Sequence, residues 1–476
     1  MSDPLLRELP PVGALLDHPE IAALARGRRR IWVTRVVQQA VEDLRRDLAR
    51  GDQPRPAGRP ELEAAARARI RAAIARLLAP ASRRVINATG VVVHTNLGRS
   101  RWPARAVEWA AAAAAGNSDL EYVLETGQRG HRGRQVEAKV ALLAGSEDAL
   151  VVNNNAAAVW LAVRHLSRGG RVVLSRGEIV AIGGSFRLDE ILGETHCELV
   201  EVGTTNRTTL ADYEAALTGG ATVLKVHRSN FKVTGFTAEV GLADLAALCR
   251  RRGARLVYDA GSGALYPFAD LGLPPEPTLD QDLAAGADLV TCSGDKLLGG
   301  CQAGLVLGAR DEIAALRRHP MRRAFRVDKT TLAALDAVLT LYLEAEDIPE
   351  VPTLEHLARP LGDLEAAAAA LAAELQPEAP PGWSARTAAA TATVGGGSFS
   401  EVEVPTRLLL WTGPREELEA VHQYLRTGEP ALVGRISQDG LGVDLRTVAP
   451  AEYPLVGSAL RGAWRRLRGE RRGSET

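Results

Sequence analysis

The chain has 476 residues, which at roughly 100 to 200 residues per domain is enough for several folding units whose cores need no staples. Hydrophobic residues make up 46% and charged residues 24%, a globular composition that excludes extensive disorder and fibrous architecture. Lys+Arg and Asp+Glu both number 58, so nucleic-acid binding cannot be read from net charge, and 4% aromatics disfavours base stacking as the main mode of recognition. The four cysteines, Cys197, Cys249, Cys292 and Cys301, have no CxxC spacing, so neither a disulfide framework nor a zinc ribbon is expected. The N-terminus lacks a basic segment followed by an apolar core, and charges interrupt every apolar run before the roughly 20 residues that span a bilayer. A soluble, cytoplasmic protein without a metal site is the expectation.

In chain order, the first segment reads as helices. A short one lies around His18 to Arg26, and an amphipathic one runs from about Arg28 to Arg50 and ends at Gly51. Residues 1–80 contain 15 Arg and no Lys against 10 Asp and Glu, a local excess of five positive charges with Arg28, Arg29 and Arg30 consecutive. A solvated helix face is the ordinary reading of such arginines. DQPRPAGRP, from Asp52 to Pro60, has linker composition, and a further Ala/Arg-rich helix follows to Leu78.

From about Asn87 to Arg310 short β-rich runs alternate with helical ones. The strands are expected at Ala149–Val152, Arg171–Leu174, Glu198–Val202, Val223–His227, Arg255–Tyr258 and Leu289–Cys292, with helices such as Ala156–Ser167 and Ala243–Arg252 between them. That alternation implies βαβ units and a mostly parallel sheet covered on both faces, with ligands beyond the carboxyl ends of its strands. After about Ile348 the pattern becomes α+β: a long helix from Leu354 to Leu375, a strand at Leu408–Trp411, and a helix from Arg415 to Arg426. The strand pair Leu432–Ile436 and Gly442–Leu445 and a closing helix, Pro454–Arg468, lead into a basic tail with Arg465, Arg466, Arg468, Arg471 and Arg472. The expected organisation is a helical N-terminal domain at 1–51, a linker and helix at 52–86, a catalytic domain at 87–345 and a small α+β domain at 346–476.

The strongest chemical signal is TCSGDKLLGGCQAG, Thr291 to Gly304, directly after an expected strand. Glycines around Lys296 let backbone approach a ligand closely, and a desolvated lysine amine loses its preference for the charged form and can form a Schiff base. VYDAGSGA places Asp259 at another strand end, 37 residues earlier. A strand-end aspartate, a Gly-Ser-Gly turn and a strand-end lysine form the constellation that pyridoxal 5'-phosphate chemistry requires. The carboxylate keeps the pyridine nitrogen protonated so that the ring can take up electrons. A turn or helix-capping aspartate is the alternative. VVNNNAAA puts Asn153, Asn154 and Asn155 at a helix N-terminus that can cradle the cofactor phosphate, unless they are ordinary caps. Ser293 can add a hydroxyl.

The motifs NATGVVVHTNLGRS, LEYVLETGQRGHRG, VVNNNAAAV, SRGEIVAIGGSFR, EVGTTNRT, KVHRSNFKVTGF, DAGSGAL and SGDKLLGG strongly resemble those of bacterial selenocysteine synthase, the L-seryl-tRNA(Sec) selenium transferase. The resemblance is densest from Asn87 to Thr331 and covers nearly the whole chain. It implies a type I pyridoxal phosphate-dependent transferase fold, a homodimer as minimal active unit, and a larger ring of dimers, expected to be a decamer. The family's lysine matches Lys296, and its pyridine-binding aspartate matches Asp259. The arginines proposed to hold the selenium donor match Arg99, Arg323 and Arg326, whose guanidinium forks suit the small anion selenophosphate. Two positions depart from the pattern: Cys301 stands where proline is usual, and His131 is at a variable position. Cys301 is read as a small packed hydrophobe rather than a group near the cavity.

The resemblance implies conversion of seryl-tRNA(Sec) to selenocysteinyl-tRNA(Sec). Lys296 takes the Cα proton, the serine hydroxyl leaves as water through an aminoacrylyl-tRNA intermediate, and selenium from selenophosphate adds to the β-carbon. Because serine is common to all seryl-tRNAs, selection would rest on RNA shape, which suits the Arg-rich N-terminal helices. Two alternatives are a lyase acting on a small phosphorylated amino acid, for which such helices have no obvious use, and a non-catalytic tRNA-binding protein, against which intact Lys296 and Asp259 argue.

Overall fold

A computed structural model describes residues 4–50, 56–182, 186–218, 220–228, 231, 233–395, 397, 399 and 402–474. Within the segments singled out above, linker residues 51–55, residues 183–185, 229, 230 and 232, and the side chains of Arg471 and Arg472 lie outside the described residues. The chain divides into two compact units, Met1–Arg84 and Val85–Thr476.

The first unit is all helical: α1 (Val12–Asp17), α2 (Pro19–Ala25), α3 (Arg30–Arg50) and α4 (Arg59–Leu78). Val33, Val37, Ala40, Val41 and Leu44 recur at helical spacing on α3 and are buried, so one stripe of that helix faces Leu15, Ile21, Ile70 and Ile74 of the other three. Helix α4, read from sequence as part of a connecting segment, packs on α3 within this unit. Several arginines are already paired here: Arg67 and Arg71 with Glu20, and Arg69 with Asp47. Arg28, Arg29 and Arg30 are exposed.

The second unit is built on a seven-stranded sheet. Its strands are β2 (Asp148–Val152), β3 (Arg171–Ser175), β4 (Glu198–Val202), β5 (Thr222–Val226), β6 (Arg255–Gly261), β7 (Leu289–Ser293) and β8 (Gly304–Gly308), with β1 (Val85–Asn87) lying elsewhere. Their spatial order is β2-β8-β7-β6-β5-β3-β4, parallel throughout except for β8, which is antiparallel to both neighbours. The six strands expected from sequence are all present within one to three residues. The seventh, GLVLG, was not expected: a five-residue run bounded by glycines gives little periodicity, and it becomes a strand by filling the slot between β2 and β7. Nearly every residue of the central strands is buried, as a sheet covered on both faces requires. The covering helices include α5 (Ala104–Ala115), α6 (Arg134–Leu143), α7 (Asn155–Ser167) and α8 (Lys329–Glu344).

A second, antiparallel sheet follows, ordered β9-β10-β13-β12, from β9 (Ser384–Thr393), β10 (Glu403–Thr412), β12 (Arg435–Ser437) and β13 (Gly440–Asp444). Helices α9 (Leu361–Leu375), α10 (Arg415–Thr427) and α11 (Tyr453–Ser474) share its core, where Trp411 and Trp464 meet edge to face at 4.8 Å. The helix expected over Leu354–Leu375 is two, Pro352–Ala358 and α9, because Pro360 cannot continue the first and instead caps the second. The strand expected over Leu432–Ile436 divides at Gly434. Its first half, β11 (Ala431–Val433), pairs in parallel with β1, and its second half is β12. Among the described residues no helix is long and apolar enough to cross a membrane.

Candidate active site

Parallel strands β5, β6 and β7 end at one edge of the sheet, and the chemistry gathers there. Asp259 lies on β6 beside Val226 of β5 and Thr291 of β7, and is buried. Its carboxylate accepts hydrogen bonds from Asn155 Nδ2 at 2.8 Å, the Gly261 amide at 3.1 Å and Thr291 Oγ1 at 3.2 Å. All three fall on Oδ1. Burial raises the Asp259 pKa, against the lowering effect of Asn155, Lys296, Thr291 and Gly261. A buried carboxylate in this condition would be stabilised by a cation, such as the protonated pyridine nitrogen that Asp259 would hold.

Lys296 follows β7 in a turn whose backbone is held from two sides. Ser100 Oγ lies 2.8 Å from the Asp295 carbonyl and 2.7 Å from that of Lys296, while the Leu297 amide donates to the Ser262 carbonyl at 3.1 Å. The amine itself is buried and donates to the Gly397 carbonyl at 2.6 Å. Burial pushes its pKa down; the Asp259 carboxylate opposes that shift and the Arg99 guanidinium adds to it. The amine is thus biased toward the neutral form that attacks a carbonyl.

The helix N-terminus sits beside this pair for a geometric reason. Ser293, Gly304 and Val152 are in register across β7, β8 and β2, and α7 begins three residues after Val152. A Cβ on Gly304 would lie 2.1 Å from the Asn154 carbonyl oxygen, so only glycine allows this approach. The asparagines stand at the helix N-terminus as expected, and two of their side chains have partners there. Asn154 caps α7, its Oδ1 accepting the Ala157 amide at 2.9 Å, and Asn155 orients Asp259. Backbone amides at the start of the 13-residue α7 and the buried Ser293 hydroxyl remain the groups that suit a phosphate.

Of the three arginines, Arg99 is beside the lysine. It adopts the left-handed conformation, φ 62°, and its Nη1 donates to both oxygens of Asp295, at 3.0 and 2.9 Å. Arg326 lies farther along, 3.6 Å from Glu121, a carboxylate also held by Arg129 and Arg132, and Arg323 is exposed. Among the described residues no hydrogen bond or ion pair joins Arg323 or Arg326 to Lys296. Cys301 is packed in the main core with Sγ 3.3 Å from the Thr331 carbonyl, and burial pushes its thiol up to about 12. It is the packed hydrophobe expected. His131 is 2.8 Å from Glu137, a buried carboxylate that also holds Arg317. Ser100, Asp295, Thr291 and Gly397 were not singled out from sequence; only their positions after folding mark them.

A buried strand-end lysine, an aspartate on the neighbouring strand and a helix N-terminus in register with them, on a sheet of this order, define a pyridoxal phosphate-dependent enzyme of fold type I. The chain resembles the structure of D-glucosaminate-6-phosphate ammonia-lyase with a TM-score of 0.58 at 22% identity, over 81% of this chain and 96% of that one. A sequence profile of the L-seryl-tRNA selenium transferase family matches residues 85–449. The chain is 45% identical over 466 residues to the L-seryl-tRNA(Sec) selenium transferase of Solidesulfovibrio magneticus, covering 96% of this chain and 97% of the relative. It is 42% identical over 471 residues to that of Nitratidesulfovibrio vulgaris, covering 96% and 99%. The chain belongs to the L-seryl-tRNA(Sec) selenium transferase family and is a transferase of selenocysteine synthesis.

Proposed function

We propose that this chain converts L-seryl-tRNA(Sec) to L-selenocysteinyl-tRNA(Sec) with selenophosphate, by loss of the serine hydroxyl as water through an aminoacrylyl-tRNA and addition of selenium at the same carbon, the P–Se bond being hydrolysed so that orthophosphate leaves. The observation that carries this reading is the desolvated Lys296 amine beside an Asp259 carboxylate whose Oδ2 has no hydrogen-bond partner among the described residues. Pyridoxal phosphate, when bound, supplies the electron sink that makes the serine Cα proton removable. Asp259 keeps that sink charged, and Asn155, Thr291 and Gly261 aim its carboxylate from the Oδ1 side. Lys296 accepts the proton from Cα and returns it after selenium has added, with the Gly397 carbonyl as the acceptor that holds the amine between those steps. The α7 amides and Ser293 hold the cofactor phosphate.

Arg99 is suited to the selenium donor because only Nη1 is engaged by Asp295, leaving the rest of its fork for an anion near the lysine. Arg323 and Arg326 would join it as the other donor-binding groups, in a site that a second subunit would complete. A homodimer assembled into a ring of dimers is therefore part of the proposal, as is residence in the cytoplasm, where tRNA is charged. The N-terminal helical unit, with exposed Arg28 to Arg30, would select the RNA by shape.

The test is turnover of seryl-tRNA(Sec) against seryl-tRNA(Ser) with selenophosphate present. Selenocysteine formed on the first tRNA alone is the expected result. Equal turnover of both, or release of ammonia from a small phosphorylated amino acid instead, would overturn the proposal.

A further inference from the structure

Behind the edge that carries Asp259 and Lys296 is a second buried polar group that the steps above do not use. His227 follows β5. Its backbone amide donates to the Asp259 carbonyl at 2.9 Å, and its ring Nε2 is 3.3 Å from Glu276 Oε1. The same carboxylate oxygen accepts the Ser262 hydroxyl at 3.0 Å. Ser262 is the residue whose carbonyl receives the Leu297 amide, next to the lysine. An unbroken path of contacts therefore runs from His227 through Glu276 and Ser262 to the backbone of the Lys296 turn, with a branch from His227 directly to Asp259.

The middle of that path is a buried glycine turn. Ser262 stands between Gly261 and Gly263, at φ 66° and 75°, in a turn that two left-handed glycines leave without side chains to pack. Gly263 must stay bare, since a Cβ there would lie 2.6 Å from the Ser293 carbonyl oxygen. Inside the turn the Ser262 amide donates to the Ala260 carbonyl at 2.6 Å and the Gly261 amide to Asp259 Oδ1; from outside it, Glu276 is the side chain that reaches the Ser262 hydroxyl. Glu276 is only 6% exposed, and an ionised carboxylate so placed is costly unless it is paired, whereas an apolar residue of similar size would not carry that cost.

We infer that Glu276 and His227 are a positioning pair for the catalytic centre: together they set the Asp259 to Gly263 turn and, through the Ser262 carbonyl, the backbone that aims Lys296. The inference rests on the cofactor reading of Lys296 and Asp259. The carboxylates facing the imidazole are Glu276, Asp282 of the short helix Leu279–Ala284, and Asp259. They raise its pKa against burial, which favours the charged ring that Glu276 can pair with. Burial pushes Asp282 up to about 7, while the His227 imidazole opposes that shift.

The experiment uses the full-length, cofactor-loaded enzyme with four variants: Glu276→Gln, His227→Gln, the two together, and Ser262→Ala. For each, the absorbance of the lysine-linked cofactor is followed as a function of pH, alongside cofactor affinity, thermal midpoint, and kcat and KM for seryl-tRNA. Glu276→Gln should retain cofactor, move the pH midpoint of the absorbance change by at least about half a unit, and lower kcat on the order of tenfold with KM within about twofold. The double variant should be no worse than the worse single one, because the two residues act as one pair. Ser262→Ala should move the midpoint in the same direction by less. An unmoved absorbance titration with a lowered thermal midpoint would overturn the inference, leaving the pair a structural contact; so would additive losses in the double variant. If Glu276→Gln does not fold, Ser262→Ala decides by the same titration, since it removes one hydroxyl and leaves the ion pair intact. Lys296→Ala separates the two levels: a cofactor band that survives in it overturns the lysine reading itself, whatever the Glu276 variants do.

Discussion

Asp259 shows how three neutral donors can shape a charged site. Asn155, Gly261 and Thr291 crowd one carboxylate oxygen, and among the described residues no cation hydrogen-bonds to the other. Asp259→Asn keeps the size of the side chain and loses the charge. Cofactor binding should be retained or weakened while turnover falls by several orders of magnitude, measurable as cofactor absorbance against product formed. Near-normal turnover would make Asp259 a turn residue. Asp282 makes a different test of the same buried neighbourhood. Its carboxyl titrates near 7 in the folded chain and at about 3.9 in an unfolded one. The unfolded chain thus loses its proton first, so stability falls as pH rises from about 4 to about 7 and then levels off. Asp282→Asn removes that loss. The variant should match the wild type near pH 4 and exceed it at pH 8, by an order of 2 kcal/mol after local relaxation. Urea midpoints at the two pH values check this, and a variant weaker at pH 8 refutes it.

The elements are coupled by close approach, which is why β8 matters beyond its five residues. It fits between β2 and β7 only because Gly304 lets the Asn154 carbonyl come near, and that contact puts the start of α7 level with Ser293. Gly304→Ala should push the helix end away, lower cofactor affinity by about tenfold, and cost about 1–3 kcal/mol of stability, read by cofactor titration and thermal melting. Wild-type affinity would show that the helix end does not take part in the cradle. The same strand marks the limit of what a reader of the sequence can see. The six other strands were legible because apolar runs alternate with helices of ordinary length. GLVLG and the alanine-rich SARTAAATAT of β9 carry almost no strand signal and take their form from the neighbours they pair with. At the site, Lys296, Asp259 and Ser293 were legible because each lies in a local motif at a strand end. The side-chain role of Asn155, and the path from His227 through Glu276 to Ser262, were not. Those contacts join residues 14 to 104 positions apart, and no local pattern records them.

At the scale of the whole molecule the two units differ in chemistry. The first has its own apolar core and an excess of arginine, and it contains none of the residues that gather around Lys296. Deleting residues 1–84 should weaken binding of tRNA(Sec) by at least tenfold and flatten its salt dependence, because fewer phosphates are neutralised, while cofactor absorbance is kept. Replacing Arg28, Arg29 and Arg30 together with Ala should cost affinity for all tRNAs more than it costs selectivity. If the shortened chain binds tRNA(Sec) as tightly and selectively as the full one, RNA recognition belongs elsewhere, with the arginines of α11 as the next candidates.

The pairing of β1 with β11 has a consequence for how the protein is made. Val85 lies beside Ala431, and the amine of Lys296 is met by Gly397, so the first strand of the second unit and the reactive lysine both await partners from the last fifth of the chain. On a ribosome adding about 5–20 residues per second, β1 is in existence for roughly 20–70 s before β11 is synthesised. Throughout that interval its hydrogen-bonding edge is open, and for most of it Lys296 lacks its Gly397 acceptor. Nascent chains stalled before about residue 397 should therefore fail to develop the lysine-linked absorbance of pyridoxal phosphate.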